Sequence, residues 1–161
     1  MADKEQEPGH APKRGRSAGS EAGSRLELVN ELIPSQIDQL VELYREEWWT
    51  TGRQRGDVAR MLAGSDVVLA LQEPTSRRLA AFARALTDGV FKALVFDVIV
   101  DPAYRARGAG RTIMDALMDH PALANVRHVE LYCLPELAPF YRRWGFSEDV
   151  GGIRLMRALR A

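Results

Sequence analysis

The sequence predicts one α/β domain, a largely antiparallel sheet flanked by helices, with elements in the order β-α-α-β-β-β-α-β-α-β. Three observations carry this. Apolar residues recur at helical spacing in three stretches, with short apolar runs between them. An Asp88-Gly89 turn joins two of those runs. A glycine-containing loop, Arg105 to Gly110, separates an apolar run from an amphipathic one.

Taken in order, Leu26 to Leu32 begins as a short strand. Ser35 reads as the N-cap of a helix, with Asp38 at the reciprocal capping position. Ile37, Leu40, Val41, Tyr44 and Trp48 form one apolar stripe that carries this helix to Trp48. A polar link from Thr50 to Gly56 leads to a shorter helix over Asp57 to Ala63. Val67 to Leu71, Leu79 to Leu86 and Ala93 to Val100 form an antiparallel meander. The third of these strands is apolar except for Asp97, so it is expected to be central and covered on both faces. Ile113, Met114, Leu117 and Met118 mark a third helix. Val129 to Leu134 is the next strand, and Leu137, Phe140, Tyr141 and Trp144 are a helical face closed by Gly145. Ile153 to Leu159 is expected as the last strand.

Composition sets the bounds. The 161 residues fit a single domain with a real core. Only five of the first 25 positions are apolar, Met1 and four alanines, too few to offset the entropy of ordering. Residues 1–25 are therefore expected to be a disordered tail, and residues 26–161 the folded domain. Lys13 to Arg16 in the tail could form a nucleic-acid arm, although a solvated tail is the preferred reading. Lys+Arg and Asp+Glu are both 22, which argues against a basic coat for nucleic acid. One cysteine, Cys133, excludes an internal disulfide or a multi-thiolate zinc site, and it is expected to be a buried structural thiol. His10, His120 and His128 have no metal-ligand spacing, so no metal is expected. No apolar run reaches membrane-spanning length and no signal peptide is visible, so a cytoplasmic protein that binds no membrane is expected.

The loop Arg105-Ala106-Arg107-Gly108-Ala109-Gly110 has the makings of a pyrophosphate cradle. Its glycines let the backbone approach a ligand, and the helix start that follows offers unpaired N–H groups at a positive dipole end. Arg105, Arg107 and Arg111 add charge. A P-loop is excluded because no Gly-Lys-Ser/Thr follows. A dinucleotide fingerprint fits poorly, because the third glycine is missing and the preceding strands form a meander.

The segment from Phe96 to Leu117, FDVIVDPAYRARGAGRTIMDAL, resembles the acyl-CoA-binding motif of the GNAT superfamily of N-acetyltransferases. Arg105, Gly108 and Gly110 match its Gln/Arg-x-x-Gly-x-Gly/Ala signature. A second block, Phe140 to Phe146, resembles the family's F-Y-x-x-x-G-F segment. The resemblance spans Leu26 to Leu159 and implies a mixed, mostly antiparallel sheet with acetyl-CoA as acyl donor. Backbone groups of Val98, Ile99 and Val100 would pair with the pantetheine. The N–H groups of Arg105, Ala106, Arg107, Gly108, Ala109 and Gly110, with Arg111 beside them, would hold the pyrophosphate. The chain departs from the family at Leu134, where an asparagine often contacts the cofactor. Homodimers are common in the resembling family, and the sequence itself does not speak to assembly.

Transfer of an acyl group from a thioester to an amine needs a proton acceptor for the amine, stabilisation of an oxyanion, and a proton for the leaving thiolate. The resemblance makes Tyr141 the general acid; the alternative is a tyrosine packed on Leu137. Asp97 interrupts an apolar strand, and burying a carboxylate is costly unless it is paired. It is either a base with a raised pKa or the partner of Arg84 or Lys92. Glu130 is a second candidate base, close to where some family members carry a glutamate. The acceptor, a primary amine on a small molecule or a peptide, would meet the link between the first two helices. Trp49 lies off the core stripe and reads as a pocket wall, Trp48 as core, and Arg84 as a pocket rim or a solvated charge. The rival from another class is a non-catalytic acyl-CoA sensor using the same cradle.

Overall fold

The computed structural model describes residues 25–50 and 52–159. The tail expectation therefore lies outside the described residues, as does any nucleic-acid arm within it. The elements are β1 (Glu27–Val29), α1 (Pro34–Glu46), α2 (Arg55–Ala63), β2 (Val67–Gln72), β3 (Leu79–Thr87), β4 (Lys92–Val100), α3 (Ala109–Met118), β5 (His128–Leu131) and α4 (Ala138–Tyr141). One sheet runs in the order β1-β2-β3-β4-β5. Every pair is antiparallel except β4 with β5, which is parallel.

Two apolar layers cover this sheet. On one face α3 sets Ile113, Met114 and Leu117 against Leu69, Leu71, Ala83 and Val95, with Tyr141 in the same cluster. On the other, Leu40, Leu43 and Tyr44 of α1 and Val58 of α2 pack on Ala70, Phe82 and Ile99. The doubly covered strand is β3, not β4. Seven consecutive residues of β3, Leu79 to Ala85, are buried, whereas β4 alternates in burial. The reason is residue size. Ala80, Ala81, Ala83 and Ala85 keep β3 thin, so both layers can close over it.

The first helix begins two residues earlier than its Ser35 signal implied. Ile33 is its N-cap, Pro34 its first residue, and the Gln36 side chain accepts from the Ile33 N–H at 3.1 Å. It ends at Glu46, so Trp48 falls outside the stripe and is 71% exposed, a correction to its reading as core. Thr50 is buried there instead, its hydroxyl donating to the Tyr44 carbonyl at 2.5 Å. Cys133 is exposed beyond the end of β5 and is not a buried structural thiol.

No strand forms over Ile153–Leu159. These residues follow two glycines in left-handed conformation, Gly151 and Gly152, and Ile153, Leu155, Met156 and Leu159 are all exposed. Apolar residues form a strand only where a neighbouring edge pairs with them, and here no edge takes the segment up. Among the described residues no helix is long and apolar enough to cross a membrane, and no group of three or more His, Cys, Asp or Glu is placed to hold a metal.

Candidate active site

The parallel pairing of β4 with β5 runs only from Lys92↔His128 to Val95↔Leu131. Beyond it, Val98, Ile99 and Val100 remain joined to β3 on one side, through Ile99↔Phe82 and Val100↔Ala81, with no strand among the described residues on the other. Backbone N–H and C=O groups on such an edge need partners, and an extended ligand with amide groups can supply them. This is the stretch that the family resemblance pairs with pantetheine.

The edge leads into the cradle loop. Asp101 caps the turn after β4, its side chain accepting from the Ala103 N–H at 2.8 Å. Ala106 and Gly108 then adopt left-handed conformations, φ 58° and 87°, and Gly108 is the N-cap of α3. The first ladder bond of this helix runs from the Thr112 N–H to the Gly108 carbonyl at 2.9 Å. The N–H groups of Ala109, Gly110 and Arg111 therefore have no acceptor inside the helix, which with its dipole makes an anion site. A Cβ at Gly110 would lie 3.5 Å from Val100 Cγ2 and 3.6 Å from Phe140 Cζ, so the loop is packed closely on both β4 and α4.

The three arginines stand differently. Arg105 turns away from the loop. Its Nε donates to the Val100 carbonyl at 3.1 Å, and its Nη2 bridges Glu47 Oε1, just past the end of α1, at 2.9 Å. Arg111 faces Asp115 at 3.5 Å, one helical turn on, and Arg107 is exposed.

Tyr141, the last residue of α4, shares the α3-face cluster with Val98 and Val100 of the open edge. It is buried, edge-on to Phe140 at 5.0 Å and to Phe146 at 6.1 Å. Asp115 of α3 accepts from the Trp144 indole at 2.9 Å, fixing this short helix to the element that carries the cradle. Burial, with the nearby Cys133 sulfur, pushes the Tyr141 phenol up to about 12, so it carries its proton at neutral pH. Leu137, the alternative packing partner, is itself 43% exposed.

A groove of about 890 Å³ opens between β5 and α4 and brings together Tyr141, Glu130, Cys133 and Phe146. Glu130 is half exposed and paired with Lys92 across the parallel strands. Partial desolvation and the carboxylates of Glu148 and Glu136 push the Cys133 thiol up, which opposes thiolate formation.

Asp97 is not in that groove. Opposite the single residue Ala83, β4 holds two, Asp97 and Val98, and Asp97 itself is left-handed at φ 55°. This bulge shifts the alternation of the strand by one, so Val95, Val98 and Val100 share the α3 face although their spacing is irregular. Asp97 meets the α1–α2 link instead. Its Oδ2 accepts from Arg84 Nε at 2.6 Å and its Oδ1 from Arg53 Nη2 at 3.0 Å. Burial works to raise this carboxyl, but the hydrogen bonds from Arg53 and Arg84 outweigh it and hold the group below the usual carboxylate range. Of the two sequence readings of Asp97, the pairing with Arg84 is the one observed, and its carboxyl is lowered and not raised. Arg84 is buried with its guanidinium 4.4 Å above the Phe96 ring, so it is neither a pocket rim nor a solvated charge. Trp49 lies beside Tyr44, ring centroids 6.5 Å apart, and is partly exposed. Sequence reasoning missed Arg53 and Tyr44 at this site. Tyr44 read as core, and a lone arginine in a polar link carries no signal of its own.

Comparison with known proteins agrees with this geometry. A family model for the acetyltransferase (GNAT) domain matches residues 63–148, just over half the chain. GCN5-related N-acetyltransferase 1, chloroplastic, of Arabidopsis thaliana is 35% identical over 77% of this chain and 62% of its own length. Serotonin N-acetyltransferase 2, chloroplastic, of Oryza sativa subsp. japonica is 39% identical over 68% of this chain and 56% of its own. The chain thus spans about six tenths of the length of these relatives. A crystal structure from Xanthomonas campestris pv. campestris, described as belonging to the GNAT family, superposes with a TM-score of 0.73 at 26% identity, covering 84% of this chain and 94% of that one. With the open β4 edge, the left-handed loop and the buried tyrosine in one place, the chain belongs to the GNAT acetyltransferase family.

Proposed function

We propose that this domain transfers an acetyl group from acetyl-CoA directly to a primary amine. The observation that carries the reading is the stretch Val98–Val100, which has no strand on its β5 side among the described residues and runs into a loop with two left-handed residues at the start of α3. An extended amide-bearing arm ending in a pyrophosphate matches both parts at once. The chemistry such a donor supplies is an activated thioester.

The chain's own residues then have distinct tasks. Val98, Ile99 and Val100 hold the arm through their backbone. Arg105, Ala106, Arg107, Gly108, Ala109, Gly110 and Arg111 receive the phosphates. Tyr141, protonated and screened from water by Phe140 and Phe146, donates a proton to the departing sulfur. Glu130, half exposed, is open to water and takes the proton of the amine through it. Asp97 has both oxygens engaged and orients the acceptor side without accepting a proton. The cytoplasmic placement stays part of this proposal, the two relatives above being chloroplastic by name.

The test is acetyl-CoA turnover with a panel of primary amines, read as thiol release, for wild type and Tyr141→Phe. Release with at least one amine, lost in the variant, is expected. Acetyl-CoA binding without release from any amine would overturn transfer in favour of the sensor.

A further inference from the structure

The α1–α2 link places one cation in a cage. The guanidinium of Arg53 lies 4.4 Å from the centroid of the Tyr44 ring and 5.7 Å from that of Trp49, and it donates to Asp97 Oδ1 at 3.0 Å. Two aromatic faces and a carboxylate around a positive charge are the components of a cation-recognition site. A second observation concerns the same cage, at the hydroxyl end of the Tyr44 ring, which lies near Asp97 and Arg53. The Tyr44 hydroxyl is buried and makes no hydrogen bond among the described residues, although a buried polar group normally has a partner.

The two arginines on Asp97 differ in how freely they can leave. Arg84 is fixed in β3 with a side chain only 10% exposed. Arg53 follows Gly52, itself left-handed, just before α2, and its side chain is 28% exposed. Beyond the cage, among the described residues, its Nη1 makes a weak 3.7 Å contact with Met61 Sδ. Replacing Arg53 by another cation preserves the charge balance around Asp97. Replacing Arg84 would open the sheet.

We propose that Tyr44, Trp49 and Asp97 form a cation subsite of the acceptor pocket, that Arg53 fills it as an internal stand-in, and that the acceptor carries a second, non-reacting basic group that takes its place. This rests on the acetyl-transfer reading above. The chemistry decides which nitrogen of the acceptor belongs there. The attacking amine must be neutral, whereas a permanently ionised carboxylate between aromatic faces favours a charged nitrogen. The subsite therefore holds the nitrogen that does not react. Its ligands are diamines, or amines that also bear a guanidinium. Asp97 adjoins Val98, the first residue of the open β4 edge, which sets this subsite beside the donor's track.

Tyr44→Phe provides the sharpest test, because it removes a buried hydroxyl that forms no well-formed hydrogen bond to a described residue. Its melting temperature should match wild type. The KM for 1,4-diaminobutane should rise about tenfold, the size of one hydrogen bond to a charged group, while that for 2-phenylethylamine stays unchanged. In Arg53→Ala the KM for the diamine should fall, and millimolar methylguanidinium should compete with it. Equal KM changes for both amines in Tyr44→Phe, or a raised diamine KM in Arg53→Ala, would overturn the subsite. If no amine supports turnover, calorimetry separates the two readings. Methylguanidinium binding to Arg53→Ala and not to wild type upholds the cage without transfer, and binding to neither overturns it.

Discussion

Arg84 Nε donates to Asp97 Oδ2 at 2.6 Å between the middle of β3 and the bulge of β4, with both side chains almost wholly buried. Removing one member of a buried ion pair leaves the other charge uncompensated. Asp97→Asn should therefore cost about 3 kcal/mol at neutral pH, read as a lowered denaturant midpoint at constant slope.

The same pair fixes a pH dependence. Asp97 has a folded pKa below its unfolded one, so its contribution to stability is complete above the ordinary carboxylate range. It is lost as pH falls through the depressed folded value. Wild type should lose stability over that acid window, and Asp97→Asn should lose less there. An identical acid slope in both proteins would contradict the assignment.

Gly108 and Gly110 should respond differently to alanine. Gly108 is left-handed, and a Cβ placed on it would meet nothing within 4 Å, so Gly108→Ala carries only backbone strain. That strain is about 1 kcal/mol, or a few degrees in Tm. A Cβ at Gly110 meets Val100 and Phe140 at ordinary contact distance, so Gly110→Ala should keep its Tm. Gly108→Ala should also weaken acetyl-CoA binding in calorimetry, because its methyl group stands in the open space of the cradle, whereas the Gly110→Ala methyl faces Val100 and Phe140 and should change binding less.

Tyr141→Phe should lower kcat about 100-fold or more with acetyl-CoA affinity unchanged. Because the phenol is held at about 12, the wild-type rate should show no loss assignable to Tyr141 between pH 7 and roughly two units below that value. A rate decline near the ordinary tyrosine pKa that vanishes in the phenylalanine variant would contradict the environment described here.

Glu47 holds Arg105 by a partly exposed pair, and such pairs contribute about 1 kcal/mol or less. Glu47→Gln should leave Tm nearly unchanged while releasing Arg105 toward the cradle. Acetyl-CoA should then bind up to about fivefold tighter, with the gain shrinking as salt is raised.

The cradle is legible in the sequence because it is local: its glycines, its arginines and the helix they precede are neighbours in the chain. The same holds for α3 and the aromatic face around Tyr141. Asp97 is legible as an anomaly, one charge in an apolar strand, but its bulge is not. The insertion appears only when β3 is laid beside β4 and Ala83 is found opposite two residues. Arg53 lies 44 residues from Asp97, and nothing near it in sequence announces that distance closed. The expected strand at Ile153–Leu159 fails for the opposite reason, since its apolar residues find no partner edge.

The open stretch of β4 acts as a ruler. Three residues at about 3.3 Å each give a scale of about 10 Å, graduated in backbone groups whose spacing no side chain can alter. Asp97 marks its origin, because the bulge there decides which groups of the next three residues face the missing neighbour. Exchanging Val98 or Val100 for another β-branched residue leaves that scale intact. Straightening the bulge would shift every graduation by one residue and set the donor out of step with Tyr141, with every chemical group still in place.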